Sequence, residues 1–175
     1  MRKLIFYSLL LVQFSLNASE TTILWKLFQQ SANDSKSANK LYEISKNFNL
    51  KDNPLLIGYK GLSNMMLCNH LINPVNKLSH FKEGKKLIDL AISKDSSSVV
   101  LRFFRFSCQV KAPSMLGYNS KIMADKLHLL EYLKIVQTNP EEQEIATNIK
   151  DFMLSSQYLS IAERKKLNEL STSHL

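Results

Sequence analysis

The stretch Ser96-Ser97-Ser98-Val99-Val100-Leu101-Arg102-Phe103-Phe104-Arg105-Phe106 sets two arginines among three phenylalanines. Paired guanidinium groups can hold a carboxylate or a phosphate through several hydrogen bonds at once. Aromatic rings beside them can stack on nucleic-acid bases, provided the rings are exposed. On a helix over 97–110, Val99, Val100, Phe103, Phe104, Phe106, Ser107 and Val110 cover most of the circumference. Arg102, Arg105 and Gln109 share the narrow face that remains, at spacings of three and four. A helix apolar on so much of its surface belongs in a core, where its rings are packing residues. The segment also lacks the glycines that the strand-borne RNA-recognition motif places among its aromatics. The expectation is no nucleic-acid partner. The arginines then either bind an anionic group or pair with a carboxylate such as Glu83, Asp89 or Asp125 to orient helices.

Two further pairs have residue types suited to chemistry. His80 with Glu83, and His128 with Glu131, each place a histidine and a carboxylate on one helical face. Together they suggest a metal site, but di-iron bundles use the order Glu-x-x-His and two additional glutamates. The order here is reversed, and the additional glutamates have no clear source. No His-Glu-x-x-His, Gly-x-Ser-x-Gly or phosphate-cradling glycine loop occurs. Neither a metal nor another cofactor is expected, and no residue is singled out as catalytic. The loop 111–121, with Met115, Leu116, Gly117 and Tyr118, is the most distinctive connection. Its apolar residues suit a cap over a core, and loops also carry binding residues.

The elements that must position these groups are helices. Only four Gly and four Pro occur in 175 residues, too few for the turns of an all-β protein. Apolar residues recur at helical spacing over 36–49, 54–71, 77–94, 97–110 and 120–137. Asn73-Pro74-Val75-Asn76 reads as a break, and Asn139-Pro140-Glu141-Glu142 as a helix start. Ser160 with Glu163 forms a capping box for a last helix near 160–171. The fold class is all-α, with antiparallel helix pairs in a solenoid or a short bundle of about seven helices.

The first residues, MRKLIFYSLLLVQFSLNASE, carry two positive charges, an apolar run and a small residue at Ala18. That is the anatomy of a secretory signal peptide, and the run is shorter than the roughly 20 residues of a membrane span. The chain therefore divides into a signal peptide at 1–18, a linker or short helix at 19–35, and a helical domain at 36–175. The expected location is periplasmic or secreted, with no stable transmembrane segment after cleavage. Removing Arg2 and Lys3 leaves 21 basic against 15 acidic residues, a net charge of +6. The lysines are spread along the whole chain, as on a solvated helical surface.

The segment Gly84-Lys85-Lys86-Leu87-Ile88-Asp89-Leu90-Ala91-Ile92-Ser93-Lys94-Asp95-Ser96 resembles the second helix and following turn of a tetratricopeptide repeat. Gly84 stands at the small-residue position where two helices approach closely, and Ala91 at the next small one. The helix 54–71 is then the first helix of that unit, and 54–136 looks like a group of small exported bacterial proteins with such a core. The resemblance implies a concave groove lined by first helices. Some grooves of this family hold a peptide carboxylate with Lys and Asn four residues apart, the spacing of Lys60 and Asn64. Lys60, Asn64, Arg102 and Arg105 are thus candidate peptide- or anion-binding residues. The same alignment places Cys68 and Cys108 on consecutive first helices, which makes them a candidate disulfide in an oxidising compartment. The function expected is a non-catalytic interaction module of the cell envelope with an unknown protein or peptide partner. The alternative is an enzyme, such as a metal-dependent hydrolase, with an unrecognised site.

Overall fold

The computed structural model describes residues 20–136 and 140–169. The leader expected at 1–18 lies outside them, as do Asn139 and His174. All regular structure among the described residues is helical, and no strand occurs. The elements are α1 at 20–31, α2 Ser35–Ser45, α3 Pro54–His70, α4 Pro74–Lys94, α5 Val99–Lys111, α6 Ile122–Ile135, α7 Pro140–Ser155 and α8 Ile161–Glu169. A single 3-10 turn, Ser114–Leu116, interrupts the loop before α6.

Short polar side chains set most boundaries. Asp34 caps α2, accepting from the backbone N–H groups of Lys36 and Ser37. Hydrogen bonds from the Ser37 hydroxyl and then from these amides hold its carboxyl below the usual range. Asn73 Oδ1 accepts from Val75 N at 2.9 Å and Asn76 N at 3.3 Å. Pro74 occupies the first helical position, where a missing N–H costs nothing. The segment 73–76 therefore starts α4 three residues before the position expected from periodicity. Ser98 caps α5, and Asp95 Oδ1 accepts from Ser97 N and Ser98 N in the turn before it. The capping box of α8 is formed on both sides, Ser160 N to Glu163 Oε2 at 2.8 Å and Glu163 N to Ser160 Oγ at 3.2 Å.

The described residues form two compact units, 20–52 with 59–87, and 53–58 with 88–136 and 140–169. In the first, Leu24, Trp25 and Leu27 of α1 are buried, as are Ala38, Leu41, Tyr59, Leu62, Met65, Leu67 and Leu87. Within 19–35, expected as a linker or short helix, residues 20–31 form a three-turn helix that contributes to this core. Its packing pattern, Leu24-Trp25-Leu27-Phe28, is too short to stand out as periodicity beside an apolar leader. Gly84 of α4 lies against the backbone of α3. A Cβ there would sit 2.8 Å from Gly61 O and 3.2 Å from Met65 N.

In the second unit α5 is the core element and packs most extensively on α6, with α7 beside both. Phe104, Phe106 and Leu101 are fully buried, and Phe103 nearly so. Phe152 of α7 meets Phe103 edge-on at 5.6 Å and Phe106 at 6.1 Å between ring centroids. The phenylalanines of the arginine-bearing stretch are packing residues.

Gly84→Ala separates packing from propensity. Alanine favours a helix interior by about 1 kcal/mol over glycine. A Cβ that close to backbone atoms should instead destabilise by about 1–3 kcal/mol. Urea denaturation of Gly84→Ala should show a lowered midpoint; an unchanged or raised midpoint would contradict the close crossing.

Candidate functional site

Arg102 and Arg105 project from α5 one turn apart and converge on Asp125, in the first turn of α6. The Asp125 side chain is 0% exposed. It accepts from Arg102 Nη1 at 3.0 Å, Arg105 Nε at 2.7 Å and Arg105 Nη2 at 2.8 Å. The Arg105 contact is the two-pronged guanidinium–carboxylate pair that lysine cannot form. Arg105 Nη1 also reaches Asp89 Oδ1 of α4 at 3.1 Å. Arg102 turns its other edge to the Ser96 carbonyl, with Nε at 3.1 Å and Nη2 at 2.9 Å. Burial would lower the Arg105 pKa, but hydrogen bonds to Asp125 and its charge, then those of Asp89, outweigh it and raise it. Two of the carboxylates considered from the sequence, Asp89 and Asp125, therefore meet the arginines. Gln109, on the same face of α5, is also buried.

Chemically this cluster is a clamp. Two positive and two negative groups balance, and the named donors of both guanidinium groups point at protein oxygens. The constellation ties α5 to α6, to the last turns of α4 and to the turn at Ser96. Tyr118, from the loop after the 3-10 turn, is buried in the same unit, and burial pushes its phenol well above the ordinary range. Gly117, at φ 59°, gives that loop the left-handed residue it needs before Tyr118 turns inward. Met115, by contrast, is 89% exposed.

Lys60 and Asn64 belong to the first unit and are committed there. Lys60 Nζ donates to Phe48 O at 2.8 Å, closing the turn after α2. Asn64 Nδ2 donates to Lys60 O at 2.8 Å, and its Oδ1 accepts from His80 Nδ1 at 2.7 Å. His80 lies edge-on to Tyr42 at 5.5 Å. His70 donates from Nε2 to Ser31 O at 2.7 Å, which ties α3 to α1. Sequence spacing gave no sign of that link.

The two candidate bridge cysteines, Cys68 and Cys108, are both free thiols in the structure. Cys68 Sγ donates instead to the Asn64 and Lys77 carbonyls, each at 3.3 Å. Burial pushes its thiol up to about 11, so little thiolate is present at neutral pH and nucleophilic reactivity is low. Cys108 is buried on α5.

His128 Nε2 lies 3.3 Å from Ser97 O, and Glu131 pairs with Lys134 at 2.8 Å. Among the described residues no group of three His, Cys, Asp or Glu side chains is placed to hold a metal ion. A second ionic contact was hidden from sequence reasoning because its partners are 37 residues apart. Lys126, nearly buried on α6, donates to both oxygens of Glu163 at 2.8 and 3.0 Å. That contact, with the Ser160 cap, lowers the Glu163 pKa from 4.5 to about 2.

Arg102→Gln with Arg105→Gln removes the charge partners of a buried carboxylate. The double variant should lose roughly 3–5 kcal/mol of stability. Equal stability in chemical denaturation would show that the clamp does not orient the helices. The Glu163 contact works in a defined pH window. A lowered folded-state pKa contributes stability above about 4.5 that is lost as pH falls toward about 2. Lys126→Met should flatten the stability slope between those values, read by urea melts at stepped pH; an unchanged slope would exclude the pair as its source. No known family's model matches this chain, and no curated protein or solved structure is significantly similar to it.

Proposed function

We propose that the chain is an exported, non-catalytic interaction module of the cell envelope, periplasmic or secreted, built around a tetratricopeptide-like helix pair. The observation that carries this reading is the contact at Gly84. The repeat pattern requires a small residue where its two helices approach, and α4 meets the α3 backbone at that residue. Lys60, Asn64, His80, Arg102 and Arg105 are directed at protein oxygens, and the Cys68 thiol is held protonated. In this reading those residues position helices and leave recognition to other surfaces. The basic, apolar and small-residue succession of the first 18 residues supports export.

Two measurements test the proposal. N-terminal sequencing of protein from an envelope or extracellular fraction should begin near Ser19, and a cytosolic chain retaining Met1 would overturn export. Crosslinking in intact cells, followed by purification through tags on either component, should return one partner in fixed stoichiometry. A monomer without a partner that turns over a substrate would overturn the non-catalytic reading.

A further inference from the structure

The first half of α4 is a buried face and an outward face on one helix. Gly84 and Leu87 are buried. About 180° away at 100° per residue, Val75, Lys82 and Lys86 share the outward face, with Leu78 and Lys85 along one margin. The exposures are large for aliphatic side chains: Ile72, in the turn before the helix, is 97% exposed, Val75 73% and Leu78 42%. Lys77, Lys82, Lys85 and Lys86 are all exposed, and Glu83 is the one acidic residue between 71 and 88.

We propose that this face docks peripherally on an anionic phospholipid surface. Ile72, Val75 and Leu78 enter the headgroup region, and Lys82, Lys85 and Lys86 lie over the lipid phosphates. The pairing is that of interfacial helices, which combine an exposed apolar cluster with lysines able to extend along the surface. Val75 and Lys82 are about 10 Å apart along the axis at 1.5 Å per residue, so both lie against one plane. Lipid is favoured over an acidic protein because the aliphatic residues stand out from the surface, and a fluid interface accepts them without a shaped pocket. No described helix is long and apolar enough to cross a membrane, so the contact is interfacial. This goes beyond the interaction-module reading and stands without it.

The test uses the protein as purified from its own cells and sedimentation with vesicles of phosphatidylcholine alone or with phosphatidylglycerol. Binding should require the anionic lipid and fall steeply with salt. At about fivefold per lysine near an anionic surface, Lys82→Gln with Lys86→Gln should weaken binding about 25-fold. Ile72→Ser with Val75→Ser should also weaken it. Lys40→Gln with Lys51→Gln makes the same charge change elsewhere and should shift binding less than twofold. All substituted residues are exposed, and circular dichroism checks that each variant folds. Equal binding to neutral vesicles would overturn the proposal. So would equal losses in both lysine pairs, which indicate net charge alone. Capture by an acidic polypeptide without vesicle binding would overturn it in favour of a protein partner.

Discussion

An ionised carboxylate buried away from water costs several kcal/mol unless donors surround it. Asp125 is such a group, and the second unit is arranged around its satisfaction. Three N–H groups from Arg102 and Arg105 reach it at 2.7 to 3.0 Å. Its place in the first turn of α6 adds the favourable end of the helix dipole. The arginines lie on the only polar strip of α5, so their direction fixes the rotation of the whole helix. With that rotation set, Phe103 and Phe106 meet Phe152, and Leu101 and Phe104 are fully buried. An apolar helix alone would tolerate several rotations at little cost, since aliphatic and aromatic contacts are weakly directional. The buried charge cluster penalises the others.

How much of this was legible depended on whether a signal was local. Ser160 and Glu163 announce a helix start because both halves of the capping box lie within four residues. The wrap of apolar residues around 97–110 likewise points to a core helix, while the spacing of its two arginines fits an anionic ligand as well as a carboxylate of the chain itself. Which carboxylate could not be read, because Asp125 is 20 residues from Arg105. Asn73-Pro74 has the composition of a break, although the same two residues form a cap and a first helical position. A proline after a capping residue is ambiguous until the helix on its far side is known. The helix at 20–31 was obscured by the apolar leader before it. The likeness between repeats places Cys68 and Cys108 at matching positions, whereas the carbonyls that take up the Cys68 thiol come from its own unit.

The first unit reaches order by a different route. Among its inter-helix polar contacts are Ser45 to Ser63 at 2.7 Å, Asn64 to His80, and His70 to the Ser31 carbonyl. Each such bond contributes about 0.5–1.5 kcal/mol net, less than a charge-assisted pair. Uniqueness here rests more on the backbone approach at Gly84, which has no tolerance for a side chain.

That close approach has a consequence for the surface. A helix held by a glycine against the backbone of its neighbour cannot rotate to hide one residue without driving another side chain into the contact. The outward face of α4 is therefore fixed by its inward one. Val75 and Leu78 remain in water because Gly84 and Leu87 take the inner positions. Exposing them is the cost of the close crossing at the middle of the helix. The exposed lysines at 82, 85 and 86 on that outward side repel like charges on another copy of the same surface. Opposite an anionic surface the same charges would attract, as the proposed lipid docking requires.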